Sequence, residues 1–182
     1  MKERELIQSS KFLSLILRHE PEKFGVSLDA AGWTDVELLL AASQKHGRAL
    51  DRATLDEIVA ASDKKRFSFD ETGTRIRANQ GHSVEVELGY EPALPPALLY
   101  HGTATRFVQA IQAEGLKKMA RHHVHLSADE TTACAAGQRH GKPAVLVIDA
   151  GAMVRAGFAF FLSANEVWLV DHVPAKFIVF RE

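Results

Sequence analysis

The sequence predicts an α+β protein in two lobes of similar size, and three observations carry that reading. Apolar residues recur at helical spacing near the start and again behind two capping signatures. Short runs rich in β-branched and aromatic residues, bounded by turn residues, follow through the rest of the chain. Between these regions Gly89-Tyr-Glu-Pro-Ala-Leu-Pro-Pro96 carries a glycine and prolines that interrupt helix and strand alike. The sequence is therefore divided into lobes over 1–90 and 97–182, joined by a Pro-rich linker at 91–96. With 182 residues and 46% hydrophobic side chains, each lobe has material for a small core of its own.

In the first lobe Leu6, Phe12, Leu13, Ile16 and Leu17 share one helical face, and that helix should end near Arg18-His19, ahead of Pro21. A short strand is expected at 26–28, then a turn at 29–32. Thr34 with Glu37, and Thr54 with Glu57, have capping-box spacing and mark the starts of two further helices. Two β-like runs at 66–69 and 75–77 flank the turn Asp70-Glu-Thr-Gly73. Helix, strand, helix, helix and hairpin is the order of a winged helix, a layout that points to nucleic-acid binding.

The second lobe alternates. A strand at 97–101 leads to a helix at 105–114, which Gly115 should close in a left-handed conformation. A His-rich strand at 122–127 and a helix to about 139 come next. Pro143 precedes a strand at 144–149, and strands at 166–170 and 176–180 complete a short-stranded sheet.

Composition narrows the function. A net charge of −1 argues against wide electrostatic capture of nucleic acid, so a few placed Arg and His residues would have to hold any phosphate. The single cysteine, Cys134, leaves no internal disulfide or Cys-based zinc site and reads as a small buried helix residue. The charged start Met1-Lys-Glu-Arg-Glu leads into no secretory core. The longest apolar runs, 36–42 and 158–162, fall well short of the ~20 residues that span a bilayer. The expectation is a cytoplasmic protein that works away from membranes, as a monomer.

The most telling stretch is Arg121-His-His-Val-His-Leu-Ser127. In a strand Arg121, His123, His125 and Ser127 would share one face and Val124 and Leu126 the other. Leu99-Tyr100-His101-Gly102-Thr103 is an apolar strand with a polar tip, and the two look like walls of one site. Arg18-His19 ends a helix, where cations suit the dipole, but an Arg fork beside a His also suits a phosphate. Lys64-Lys65-Arg66-Phe67 reads either as a solvated surface or as an edge facing nucleic acid. Asn79-Gln80-Gly81-His82-Ser83 decides nothing by itself. A metal is not expected. Gly115, His123, His125, Glu130 and Gly137 come near a cupin spacing, but Glu130 falls in a helix and Arg121 would repel a divalent cation. Neither a Gly-rich phosphate loop nor a Gly-x-Ser-x-Gly elbow is present, so an enzyme here would position reactants and balance charge.

Taken in order, Ser14-Leu-Ile-Leu-Arg18-His19, Lys64-Lys-Arg66-Phe67, Arg77-Ala-Asn-Gln-Gly-His82-Ser83, Tyr100-His-Gly-Thr103, Arg121-His-His-Val-His-Leu-Ser127 and Val167-Trp-Leu resemble one family. It is that of the NAD-dependent RNA 2′-phosphotransferases, Tpt1/KptA. The resemblance implies a winged-helix RNA lobe and an ADP-ribosyltransferase-like lobe, with the reaction in the cleft between them. It implies a catalytic basic tetrad of Arg18, His19, Arg66 and Arg121. It also implies NAD binding by His101, Gly102 and Thr103 on one wall and His125 and Ser127 on the other. The implied substrates are NAD and an RNA with an internal 2′-phosphate, of the kind left at a tRNA splice junction, with no metal. Glu166 lies near the place of the glutamate many ADP-ribosyltransferases use, and is left out of the catalytic set. Two alternatives are ADP-ribosyl transfer to terminal phosphates or another acceptor without a second step, and a winged-helix regulator. Against the regulator, 54–61 lacks the Arg, Asn or Gln side chains that read base edges.

Overall fold

A computed structural model describes residues 3–48, 50–62 and 65–180 of the chain, which form two compact units, Met1–Gly89 and Tyr90–Glu182. Lys64 of the basic run lies outside the described residues. The architecture is mixed helix and sheet, and each unit has its own core.

The first unit runs α1 (Glu3–Arg18), β1 (Thr34–Asp35), α2 (Val36–Lys45), α3 (Arg52–Ala60), β2 (Phe67–Phe69) and β3 (Arg75–Ala78). Its antiparallel sheet has the order β1-β3-β2, with Thr34 opposite Ile76 and Phe67 opposite Ala78. Leu13, Ile16 and Leu17 of α1 are fully buried with Leu39, Leu55 and Ile76. Each such side chain contributes about 1.5–3 kcal/mol, which is what fixes α1 against its neighbours.

Three expectations need correcting. Residues 26–28 form no strand: Val26 donates its N–H to the Pro21 carbonyl and Asp29 to that of Trp33. Val26 is nevertheless buried, so its apolar character belongs to a loop packed on the core. The caps also lie elsewhere. Asp35 Oδ1 accepts from Leu38 N–H at 3.1 Å and Asp51 Oδ1 from Thr54 N–H at 2.8 Å, so aspartates cap α2 and α3. Thr34 is a buried strand residue and Thr54 lies inside the first turn of its helix. Because α3 starts at Arg52, it does carry an arginine. That side chain bonds Asp56 and the Gly73 carbonyl and stacks on Phe69, so it is spent on the hairpin.

The second unit runs β4 (Leu98–Ala104), α4 (Val108–Glu114), β5 (Leu116–Lys117), β6 (Val124–Leu126), α5 (Glu130–Gly137), β7 (Pro143–Asp149), α6 (Ala150–Arg155), β8 (Phe161–Leu162), β9 (Trp168–Val170), β10 (His172–Val173) and β11 (Ile178–Val179). β4 and β7 pair over seven residues from Leu98–Asp149 to Ala104–Pro143, and β11 lies along the other edge of β7. A second sheet has the order β6-β9-β8, and β5 pairs with β10. Tyr100 and Ser127 exchange both backbone hydrogen bonds, at 2.9 and 2.8 Å, and so join β4 to β6. The stretch expected as linker belongs in part to this unit, since Ala93 N–H donates to Phe160 O.

Here too some expectations shift. Gly115 has φ 74° but ψ −172°, so it ends α4 without the left-handed helical conformation. A side chain there would meet the Val173 carbonyl at 2.2 Å. Cys134 is half-buried on α5 and not sealed in the core. Glu166 sits in a turn with φ 61°, two residues before β9 begins.

Candidate active site

In the first unit the end of α1 is closed by a distant segment. The Arg18 carbonyl, unsatisfied within the helix, accepts from Ser83 N–H at 2.8 Å and from Val84 N–H at 3.3 Å. Ser83 Oγ lies 2.9 Å from His19 Nδ1, which fixes the imidazole and directs its Nε2 edge elsewhere. The Arg18 guanidinium stands over the Phe67 ring at 5.7 Å and donates from Nη2 to the Arg66 carbonyl at 3.4 Å. Asn79 N–H donates to the same carbonyl at 3.0 Å.

Arg66 is thus held by its main chain, while its half-buried side chain lines a groove together with His19. Its own N–H donates to Ser62 Oγ at 3.2 Å. Just before it, Lys65 adopts φ 38°, a left-handed backbone that an L residue adopts at a cost. The Asn79 amide spans this turn, donating to the Lys65 carbonyl at 2.5 Å and to Ser68 Oγ at 2.8 Å. Asn79 is almost fully buried. Arg18, His19 and Arg66 therefore share one neighbourhood. Asn79 and Ser83, which assemble it, come from the stretch that decides nothing by itself and that the sequence assigns to no site. Their sequence signals are a polar cluster directly after a hairpin and a place in one of the motifs that carry the family resemblance.

Arg121 and the proposed NAD residues belong to the second unit. The expected four-residue polar face does not form, because Arg121, His122 and His123 lie in a bend and β6 begins at Val124. The turn over 118–121, with Met119 at φ 55°, consumes the preceding residues. His123 instead packs against the rings of Tyr90 and Phe161, and burial lowers its pKa first of all, with His122 and Lys118 adding to the effect. Arg121 still reaches His125: its Nη1 donates to Nδ1 at 3.3 Å, which makes that ring nitrogen an acceptor.

β4 and β6 part after a single hydrogen-bonded pair, and His101 fills the opening. Its Nδ1–H donates to the His125 carbonyl at 2.9 Å, a partner that a continuing ladder would have satisfied with backbone. Burial lowers the His101 pKa, the bond to His125 opposes this, and Arg121 and His140 lower it further. His101 and Thr103 lie on one face of β4 and Gly102 on the other. On that other face α5 approaches so closely that a Cβ at Gly102 would stand 1.6 Å from the Ala133 carbonyl. Gly102 accordingly serves the packing of α5 on β4. Asp129 caps α5, taking the Thr132 N–H at 2.7 Å. Ser127 is half-buried beside Tyr100, where its backbone makes the junction of the two sheets. Among the described residues no three His, Cys, Asp or Glu side chains come together as a metal site would require.

Both clusters present fixed cations beside imidazoles and hydroxyls, a chemistry suited to phosphate groups. The model of the RNA 2′-phosphotransferase, Tpt1/KptA family matches residues 4–172, and the chain belongs to that family. The probable RNA 2′-phosphotransferase of Streptomyces griseus subsp. griseus is 54% identical, with both chains covered in full. That of Agrobacterium fabrum is 56% identical over 93% of this chain and 91% of its own. That of Trichormus variabilis is 52% identical over 98% of each.

Proposed function

We propose that the chain removes an internal 2′-phosphate from RNA, such as that of a tRNA splice junction, by transferring it to NAD. The observation that carries this reading is the tie between Arg18, His19 and Arg66 in a member of this family. Three segments far apart in sequence are bonded so that the Arg18 guanidinium meets the Arg66 carbonyl, while the Arg66 side chain and His19 line one groove. The element order of the first unit supports reading it as a winged helix for RNA. In the second unit, the His101 bond to the His125 carbonyl and the Arg121 bond to His125, next to the Tyr100–Ser127 junction of β4 and β6 and with Thr103 further along β4, support reading it as an ADP-ribosyltransferase-like unit for NAD. Gly102, on the other face of β4, supports that unit by letting α5 close onto the strand.

In the first step an oxygen of the RNA 2′-phosphate attacks the ribose carbon that bears nicotinamide. The carbon–nitrogen bond breaks and its electron pair leaves with neutral nicotinamide. The attacking group is already an anion, so positioning matters more than activation, and orientation can supply several kcal/mol of a barrier. In the second step the adjacent ribose hydroxyl attacks phosphorus, and the RNA 2′-oxygen departs and takes up the proton. The products are 2′-hydroxyl RNA and ADP-ribose 1″,2″-cyclic phosphate. Negative charge builds on the phosphoryl oxygens here, where Arg18, Arg66 and Arg121 donors act most strongly, with His19 beside them. No metal has a part. Cytoplasmic action as a monomer fits this chemistry, and among the described residues no helix is long and apolar enough to cross a membrane.

Incubation with NAD and a short 2′-phosphorylated RNA should release those products, resolved by mass. A stable ADP-ribosylated RNA would favour simple ADP-ribosyl transfer instead. Arg66→Ala and Arg121→Ala should each fold normally and lose about 10²–10³ in rate, the effect of one transition-state donor. Full activity in both variants would reject the assignment.

A further inference from the structure

The groove that Arg66 and His19 line extends well beyond what a phosphate needs. It runs between α1 and the end of α3 within the first unit and has a volume of about 440 Å³, enough for one small organic group. Two adjacent rows of α1 form one wall: Leu6, Ser10 and Ser14 at intervals of four, with Ile7, Lys11 and Leu15 alongside. Both rows lead toward Arg18-His19. Ile58, Ala61 and Ser62 form the facing wall. The space exists because small residues stand at 10, 14, 61 and 62, where leucines would close it.

The lining is mixed in chemistry and has one basic end. Aliphatic side chains cover one part, and Ile7 is 50% exposed although it is large and apolar. Three hydroxyls occupy the middle, each able both to donate and to accept. His19 and Arg66 supply the polar end, Lys11 stands midway along the α1 wall, and the described lining residues include no carboxylate. An apolar slot with adaptable hydroxyls and a cationic end matches a nucleobase, its ribose and a phosphate. The groove is too narrow in content for a stacked duplex, since it offers room for a single unstacked base.

We infer that this groove holds the nucleoside next to the one bearing the 2′-phosphate, in a single-stranded RNA; the inference rests on the function proposed above. Hydroxyls that both donate and accept make the subsite tolerant of base identity. Ser10 and Ser14 thus act in substrate positioning and not in the bond-making steps.

The test uses Ser14→Leu and Ser10→Leu, each of which fills the groove from α1. Rates are measured with NAD on a 2′-phosphorylated trinucleotide and on two versions lacking the base 5′ or 3′ of the phosphate-bearing residue. Filling the groove should raise the RNA KM by about tenfold, the scale of one lost contact, with kcat and the NAD KM held within about twofold. Removing the relevant base should raise the wild-type KM by a similar factor, and the variants should then show no further penalty. An unchanged KM, or an equal penalty on the intact and both abasic RNAs, overturns the inference. A wild-type protein that turns over none of these RNAs overturns the proposed function itself. If a leucine variant melts early, the abasic series on wild-type protein decides alone: equal KM for all three RNAs rejects the groove.

Discussion

The two units hold their polar clusters in opposite ways. In the second, the placement of His101 and His125 follows from strand register: one Tyr100–Ser127 pair aligns β4 with β6, and α5 locks β4 from behind by backbone contact. In the first, Arg18, His19 and Arg66 stand at a helix end and in an irregular turn, secured by bonds from residues 79 to 84. The seven-residue pairing of β4 with β7 spreads the support of that single junction over many backbone bonds. Side-chain bracing concentrates it in a few groups, of which Asn79 and Ser83 make three bonds each. The second arrangement should therefore fail as a body, and the first should fail locally.

The sharpest way to break this contrast is Gly102→Ala. The added methyl meets the Ala133 carbonyl at 1.6 Å, and neither strand nor helix backbone can yield without disturbing β7. Overpacking of this kind costs about 3 kcal/mol. Urea denaturation should register that loss, and hydrogen exchange should place it in 90–182 while amides of 3–48 keep their protection. Equal loosening in both regions would mean that the units do not fail separately.

How much of this was readable in advance depends on the distance over which each feature is determined. The end of α1 at Arg18, the hairpin around Asp70–Gly73 and the strands β4 and β7 were legible, because their periodicity and turn residues are local. The caps lie one and three positions from the capping-box threonines, since Asp35 and Asp51 supply the carboxylates and Thr34 and Thr54 cap neither helix. Strands of two residues, β1, β5, β8, β10 and β11, and the six-residue helix α6 are too short to show a period. The candidate residues were found as types in suggestive places. Their connections were not, because the contacts from Arg18 to Arg66 and from His19 to Ser83 span 48 and 64 residues. Nothing in either segment alone encodes such a meeting.

Asn79→Ala gives the next largest effect and tests concentration of support directly. It leaves the Lys65 carbonyl and Ser68 hydroxyl without their amide donor, and part-buried groups so abandoned cost about 1–3 kcal/mol. The left-handed Lys65 should relax, and Arg66 should lose its fixed backbone. Activity toward 2′-phosphorylated RNA should then fall more than the loss of stability accounts for at a temperature where the variant is fully folded. Asn79→Asp, nearly the same size but unable to donate, should behave like alanine. If aspartate restores activity, the amide is not what braces Arg66.

The smallest expected effect probes the second unit through pH. Burial is the main cause that holds the His101 imidazole below its ordinary value of 6.5, and Arg121 and His140 act in the same direction. The folded state therefore prefers the neutral ring, whereas the unfolded chain takes up a proton as pH falls through that ordinary value. Stability from this group is complete above it and declines as acid is added, down toward the depressed folded pKa. Denaturation midpoints between pH 8 and 5 should show the decline in wild-type protein. His101→Asn puts an amide N–H where Nδ1–H bonds the His125 carbonyl, and removes the titration. The variant should lose less stability than the parent over that range, with the difference under one proton's slope. A steeper loss in the variant would show that the imidazole gains a proton on folding, which would place a negative charge near the opening between β4 and β6 and overturn the account of that opening as a cationic site.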